Sequence, residues 1–242
     1  MTASPASGHA GRPAPGYSVV LFDLDGTLAD TVELILRCYR HTMATHLGGL
    51  RPDGEWLRTI GTPLRDQLRD FARDESEAAA MLETYVAYQK RIHDGLVRPY
   101  PGAREALDRL AGRGTRVGVV TSKHREMARR TLEVCRLLDR VEILVTASDV
   151  ARGKPDPEPV ELALERLGFE GGREKVVFVG DSPFDLRAGR GAGIRTAGAL
   201  WGPFPRHVLE DERPDHLVGS LGEVVGLGPT DAGAGGGSAR PG

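Results

Sequence analysis

The chain has 242 residues, of which 40% are hydrophobic, with a formal net charge of −2 and an isoelectric point of about 6.4. This is enough apolar material for a buried core, and the balanced charge gives no indication of binding to nucleic acid or to a membrane surface. The chain shows no apolar run of membrane-spanning length and no signal-peptide core, and Cys38 and Cys135 form no metal or disulfide framework. The sequence therefore predicts a reduced protein of the cytoplasm.

The two ends of the chain differ in composition from its middle. Residues 1–16 are rich in alanine, serine, glycine and proline, and residues 226–242 contain a glycine run, so we expect a disordered leader and a disordered tail. Between them, the apolar run Val19–Phe22 is long enough for a buried strand. This run ends at two aspartates, Asp23 and Asp25, which are followed by a glycine turn.

A long helical segment follows this first strand. Apolar residues recur at helical spacing up to residue 92, and no strand pattern returns before Arg116. Because a simple strand–helix–strand crossover takes about 30 residues, the surplus predicts a helical cap inserted over residues 29–98, above the Asp23 end of the sheet. Asp30 is expected to cap its first helix, with Glu33 as the capping-box partner.

From residue 99 onward the pattern alternates between helices and strands, which predicts a mostly parallel sheet. The predicted fold class is α/β: a doubly wound, Rossmann-like parallel sheet formed by residues 17–28 and 99–225, with an all-α cap inserted in it. The predicted elements are helix 102–112, strand 116–121, helix 124–137, a strand near 141–145, a helix over 159–168, strand 175–179, helix 184–191, strand 194–199 and a short strand at 215–218.

The polar and charged side chains that could take part in chemistry lie at or near the predicted strand ends. Asp23 and Asp25 are two residues apart on an extended backbone, so they project to one side, where like charges repel unless a cation or a shared proton intervenes. The other motifs, taken singly, have ordinary explanations: a helix cap at 121–122, a surface loop at Lys154, and a turn with an N-cap aspartate at 180–185. Ligands of parallel sheets bind beyond the carboxyl ends of the strands, so we expect these motifs to meet there.

Four segments resemble, in order and spacing, the four motifs of the haloacid dehalogenase-like hydrolase superfamily. They are Asp23-Leu24-Asp25-Gly26-Thr27, Thr121-Ser122, Lys154-Pro155 and Gly180-Asp181-Ser182-Pro183-Phe184-Asp185. The resemblance covers about residues 18–222. The helical insertion between the first two motifs resembles the cap of the phosphoglycolate phosphatase and pyrophosphatase branch, which implies a Mg²⁺-dependent phosphatase.

The resemblance implies a role for each acidic residue of the site. Asp23 is the nucleophile, which forms an aspartyl-phosphate, and Asp25 is the general acid and then the general base. Mg²⁺ is held by Asp23, by the backbone carbonyl of Asp25 and by Asp181. Asp185 is either a further metal ligand or the support of one, and capping of the helix that follows is the alternative role for it.

The resemblance assigns phosphate binding to a second group of residues. Lys154 supplies positive charge against Asp23 and the phosphoryl group, and it counts among the catalytic residues together with Thr121. Thr121 is expected to bind phosphate through its hydroxyl and its strand-end amide. The amide of Ser122 and the turn at Gly26 are expected to add further contacts.

Two further groups of residues are considered for the site. Lys123, His124 and Arg125 follow the phosphate-binding motif, but such residues more often form a solvated first helical turn, and they are left out of the catalytic set. In the cap, Thr31, Glu33 and the loop at 60–65 are expected to face the substrate. An ordinary interhelix turn is the alternative explanation of that loop.

The predicted function is hydrolysis of a small, anionic phosphorylated metabolite such as phosphoglycolate, with Mg²⁺ as cofactor and with no nucleic-acid or membrane partner. Inorganic pyrophosphate is the alternative substrate, because the segments at 153–159 and 199–202 also resemble the pyrophosphatase branch. A phosphomutase shares the same motifs. A non-catalytic phosphate-binding or phospho-receiver module would use the same combination of aspartates, Mg²⁺ and lysine, so it is the alternative that is not an enzyme.

Overall fold

A computed structural model of the protein describes residues 16–229. The strands are β1 (Val19–Phe22), β2 (Ala29–Asp30), β3 (Arg98–Pro99), β4 (Arg116–Val120), β5 (Ile143–Val145), β6 (Val176–Gly180), β7 (Arg195–Ala199) and β8 (His216–Val218). The helices are α1 (Val32–Leu47), α2 (Asp53–Leu57), α3 (Leu64–Arg69), α4 (Glu75–Leu96), α5 (Ala103–Ala111), α6 (Arg125–Val134), α7 (Glu158–Leu167), α8 (Pro183–Gly191), α9 (Arg206–Asp211) and α10 (Leu221–Val224). The expected disordered leader and tail lie outside the described residues, apart from Gly16 and residues 226–229.

β1 lies inside a parallel sheet of six strands, in the order β5-β4-β1-β6-β7-β8. Val19, at the start of β1, is in register with Arg116 of β4 on one side and with Val176 of β6 on the other. Every residue of β1 and β6 is buried, as expected when both faces of a parallel sheet are covered. The α/β fold-class prediction, including the inserted helical cap, is confirmed.

The elements around the sheet differ from the sequence predictions mainly at their ends. The strand predicted at 116–121 ends one residue earlier, at Val120, and the strand near 141–145 shortens to β5. The helix predicted at 124–137 is the shorter α6, since Arg136 adopts a φ of 56°, which interrupts a right-handed helix. The short helices α9 and α10 were not anticipated.

The helices α1 to α4 form the cap and have an aromatic core of their own. The rings of Tyr39 and Trp56 stack with their centroids 4.7 Å apart. Phe71 and Tyr85 lie beside Trp56, at centroid distances of 5.8 Å and 6.0 Å. Tyr39, Trp56 and Tyr85 are buried, so aromatic packing holds the cap helices together, and it is continuous with the core on one face of the sheet.

β2 and β3 pair with each other where the chain enters and leaves the cap. Ala29 is opposite Pro99, and Asp30 is opposite Arg98. Strands of two residues carry no periodicity in the sequence, so this pair was not anticipated. We propose that it marks the limits of the cap at residues 29 and 98.

The predicted capping box at the start of α1 is wrong. Asp30 belongs to β2, and the residue at the cap position is Thr31, which makes no side-chain capping bond. Glu33 instead accepts a hydrogen bond of 2.7 Å from Arg37, one helical turn further on. The pairing of β2 with β3 therefore places Asp30 one residue too early to cap the helix.

Among residues 16–229, no helix has both the length and the apolar character that crossing a membrane requires. The two cysteines, Cys38 and Cys135, are buried and free. Burial raises the pKa of both thiols to about 12, which keeps them protonated and unreactive.

Candidate active site

The sheet order brings the predicted motifs to one edge. Asp23 follows the last residue of β1, Thr121 follows β4, and Asp181 follows β6, and these three strands are neighbours. Lys154 reaches the same place from the loop between β5 and α7. All four side chains are buried, which is unusual for the three charged ones and indicates that these neutralise one another or bind a charged ligand.

Lys154 joins two of the carboxylates. Its Nζ lies 2.9 Å from Oδ1 of Asp23 and 2.5 Å from Oδ1 of Asp185. Burial lowers the pKa of Lys154, but the charges of Asp185 and Asp23 outweigh this effect, so the net shift is upward and the side chain stays protonated. Burial raises the pKa of Asp23 from 3.8 to about 7, although Lys154 opposes the shift.

Asp23, Asp181 and Asp185 form a cluster of carboxylates, with one oxygen of each within 4.8 Å of the others. Oδ2 of Asp181 is buried without a hydrogen-bond partner among the described residues. Burial, followed by the charge of Asp23, raises the pKa of Asp181 well above its usual value. An oxygen-only donor set in which Oδ2 of Asp181 has no partner fits a hard divalent cation such as Mg²⁺, which would relieve both the repulsion and the missing contact.

Asp181 is positioned by a set of close contacts. Its Oδ1 accepts a hydrogen bond of 2.6 Å from the Thr27 hydroxyl, and the carbonyl of Thr27 accepts one of 3.0 Å from Trp201 Nε1. A Cβ at Gly26 would lie 2.5 Å from Oδ2 of Asp181, and one at Gly202 would lie 2.3 Å from its Cβ. The two glycines therefore allow the close approach of the turn after β1 and the loop after β7 to this carboxylate.

Asp185 caps the helix that follows it, which is one of the two roles that the sequence left open, and its metal-binding role stays a prediction. It completes a capping box at the start of α8, since its Oδ2 accepts hydrogen bonds from the amide and the hydroxyl of Ser182 at 3.1 Å and 2.5 Å. Its Oδ1 accepts from Lys154 at the same time. The cap of α8 thus fixes the carboxylate that holds Lys154 beside Asp23.

The phosphate-binding prediction at the end of β4 needs one correction. The amide of Thr121 donates to the carbonyl of Val145 at 2.9 Å, because the sheet hydrogen bonding continues one residue past β4, so this amide is not free for phosphate. The Ser122 amide makes no hydrogen bond within residues 16–229 and stays available. The Ser122 hydroxyl donates to the carbonyl of Gly61 in the cap, at 2.5 Å.

Lys123 is a site residue that the sequence analysis left out. Its Nζ lies 2.6 Å from Oδ1 of Asp25, and both side chains are largely buried. The sequence held a signal for this residue, because Lys123 is two residues after Thr121 at a strand end. At this spacing, two side chains of an extended chain point to the same side. The pair joins the turn after β1 to the loop after β4 and fixes the orientation of Asp25.

If Asp25 is the general acid and base that the sequence predicts, replacing Lys123 with methionine is expected to lower kcat by about 10- to 100-fold, because Asp25 would lose the contact that orients it. The exposed Lys175 at the opposite end of the sheet provides the matched control, Lys175→Met, which should keep wild-type turnover. Steady-state kinetics with thermal melting of both variants checks this prediction. A Lys123→Met enzyme with normal kcat would contradict the assigned contact.

A cavity of about 390 Å³ lies between the cap and the ends of the strands. From the loop predicted to face the substrate, Ile60, Gly61, Thr62 and Leu64 line this cavity, whereas Arg65 turns away to pair with Glu75. The other cap predictions, Thr31 and Glu33, are wrong, since neither residue lines the cavity. Thr31 is buried against the core, and Glu33 is on the exposed face of α1.

The parallel sheet, the inserted cap and the acidic site at the strand ends together define the class of capped, Rossmann-like hydrolases. The family model for haloacid dehalogenase-like hydrolases matches residues 20–199. The chain belongs to this haloacid dehalogenase-like hydrolase family.

Individual relatives agree with this assignment. The chain is 35% identical to the pyrophosphatase PpaX of Bacillus velezensis over 86% of its own length and 94% of that protein. It is also 35% identical to the pyrophosphatase PpaX of Bacillus pumilus, over 87% of its own length and 95% of that protein. Among solved structures, a predicted phosphoglycolate phosphatase from Haemophilus somnus has a TM-score of 0.77 at 20% identity, covering 86% of this chain and 96% of that one, which shows the shared fold.

Proposed function

We propose that the protein is a Mg²⁺-dependent phosphohydrolase in which Asp23 carries the phosphoryl group. The observation that supports this most strongly is the position of Lys154, a buried residue of the cavity wall whose ammonium contacts Asp23 and Asp185. A buried carboxylate beside a buried cation, next to an enclosed space, is suited to attack on an anionic substrate. The free, buried cysteines agree with our placing of the enzyme in the cytoplasm.

The proposed reaction has two steps. Asp23 attacks phosphorus in line, forming the new oxygen–phosphorus bond as the bond to the leaving group breaks, and Asp25 gives its proton to the leaving oxygen. Asp25 then takes a proton from water, which attacks the aspartyl-phosphate, so that inorganic phosphate leaves and Asp23 is regenerated. The hydroxyl of Thr121 and the amide of Ser122 hold the phosphoryl oxygens, and Lys154 offsets their charge.

The residues that would hold Mg²⁺ are Asp23, Asp181 and Asp185, with the backbone carbonyl of Asp25. When bound, the ion supplies positive charge against the phosphate and the carboxylates together. The buried, unpartnered Oδ2 of Asp181 is the feature of this site that supports a cation most directly. Gly26 serves this arrangement by leaving room for Asp181, in addition to its proposed place in the phosphate-binding turn.

Two substrates are candidates for this reaction. Phosphoglycolate represents the small phosphate monoesters that the sequence predicts, and the size of the cavity, which is within the range of organic ligand sites, supports an ester. Pyrophosphate is the second candidate, supported by the names of the Bacillus relatives. A phosphomutase would differ only in the acceptor, and a phospho-receiver would not need a substrate cavity under a cap.

Phosphate release from a panel of compounds tests the proposal. The panel contains phosphoglycolate, pyrophosphate, hexose phosphates, nucleotides and p-nitrophenyl phosphate, each measured with Mg²⁺ and with EDTA. We expect multiple turnovers that stop with EDTA and resume when Mg²⁺ is added. Absence of release from every compound would overturn the proposal, and transfer of phosphate between hexose positions would identify a mutase.

A further inference from the structure

Tyr85 lies between the aromatic core of the cap and the cavity at the strand ends. Its ring stacks beside that of Trp56, with the centroids 6.0 Å apart and the planes 25° from parallel, so packing fixes the position of the ring. The same residue lines the cavity, together with Asp23, Asp25 and Lys154 of the core. One side chain of α4 is therefore held by the cap and borders the active site.

The hydroxyl of Tyr85 differs from the polar atoms of its aromatic neighbours. The Tyr39 hydroxyl and Nε1 of Trp56 are completely buried and make no hydrogen bond among the described residues. The Tyr85 hydroxyl also makes none within residues 16–229, but it is not completely enclosed, although the whole residue is only 2% exposed. Since Tyr85 lines the cavity and Tyr39 and Trp56 do not, the open side of this hydroxyl is the cavity side. Thr62, the other hydroxyl residue that the cap contributes to the lining, donates to the Thr59 carbonyl instead.

The surroundings of Tyr85 keep its hydroxyl protonated. Burial raises the pKa of Tyr85 well above its usual value, and the nearby Cys38 and Asp25 raise it further. The phenol can therefore donate a hydrogen bond, but it is too weak an acid to give up its proton. Proton transfer stays with Asp25.

In-line attack determines where the leaving oxygen of the substrate lies. Asp23 attacks phosphorus from the strand ends, so the bond that breaks points away from Asp23 and toward the cap. Asp25 must reach the same oxygen to protonate it, and Lys123 holds Asp25 from the core at 2.6 Å. The Tyr85 hydroxyl opens into the same cavity from the cap, so it faces the leaving oxygen from the opposite side.

We infer that Tyr85 is a further catalytic residue, whose hydroxyl donates a hydrogen bond to the leaving oxygen while Asp25 protonates that oxygen. The hydrogen bond stabilises the charge that develops on this oxygen as its bond to phosphorus breaks. Tyr85 keeps its own proton, and no covalent bond to it forms or breaks. The inference rests on the proposed function and adds a residue of the cap to its first step.

The variant Tyr85→Phe tests the hydroxyl, since it keeps the ring beside Trp56. We expect kcat/KM for the best substrate of the panel to fall about five- to tenfold, as loss of one hydrogen bond predicts, with an unchanged Tm. Tyr39→Phe is the matched control, because it removes a hydroxyl from the same aromatic core at a position that does not line the cavity, and it should keep wild-type kcat/KM. An unchanged kcat/KM in Tyr85→Phe would overturn the inference.

The separate rates of the two chemical steps distinguish contact with the leaving oxygen from a structural role. This oxygen is present only in the first step, so rapid-quench experiments should show slower phosphorylation of Asp23 in Tyr85→Phe. Hydrolysis of the aspartyl-phosphate should stay within about twofold of the wild-type rate. A displaced cap would slow both steps, because Asp25 acts in both, and equal slowing would overturn this inference while the proposed function stood. Absence of both an aspartyl-phosphate and phosphate release in the wild type, for every compound, would overturn the proposed function and this inference with it.

Discussion

Asp23→Asn is expected to remove Mg²⁺-dependent phosphate release, with a loss of about 10⁴-fold or more. The neutral amide is a much weaker nucleophile than the carboxylate, and it cannot form the aspartyl-phosphate. The control is Asp139→Asn, which changes an exposed aspartate whose ion pair within residues 16–229 is with the neighbouring Arg140, and it should keep full turnover. Phosphate release under saturating substrate, followed over hours, measures the residual rate.

The stability of the same variant separates lost chemistry from lost folding. Burial raises the pKa of Asp23 from 3.8 to about 7 in the folded protein, with Lys154 opposing the shift. The folded state therefore binds this proton more tightly than the unfolded state, so the contribution of Asp23 to stability decreases as the pH rises from about 4 to 7. Asparagine does not titrate, and the Tm of Asp23→Asn in EDTA at pH 8 should be no lower than that of the wild type. An inactive variant that is also unfolded would not support the assigned role, and an active Asp23→Asn would refute it.

The parts of the site that the sequence predicted are those determined by strand order. Asp23, Thr121 and Asp181 each follow an apolar run, and β1, β4 and β6 are adjacent, so a parallel sheet must bring them together. The fold class could be predicted for the same reason, because alternating strands and helices leave few arrangements. The two-residue strands β2 and β3 carry no such pattern.

The parts of the site that could not be predicted depend on contacts between residues that are far apart in the sequence. Lys123 was passed over because a lysine near a helix start is usually solvated, and only its position beside Asp25 shows its contact. The amide of Thr121 was expected to bind phosphate, but it is used by Val145 in the sheet.

Lys154→Met is expected to damage both activity and stability. Turnover should fall by about 10²- to 10³-fold, because the ammonium no longer offsets the charge of the phosphoryl group. The folded state should lose about 3–5 kcal/mol in metal-free buffer at pH 8, since three buried carboxylates would keep no cation among them. Lys175→Met, at the other end of the sheet, removes the same charge from an exposed position and should change neither quantity.

Magnesium distinguishes this electrostatic explanation from simple loss of packing. If Lys154 acts by its charge, Mg²⁺ compensates part of the missing charge at the carboxylates, and the increase in Tm between EDTA and Mg²⁺ should be larger for Lys154→Met than for the wild type. Methionine fills a similar volume, so the loss of packing should be small. A loss of packing alone would also give the same increase in Tm with Mg²⁺ in both proteins. Turnover would not recover with the added metal, since the position that faces the phosphoryl group would still lack a cation. Normal turnover in Lys154→Met would contradict the assignment of this residue to the active site.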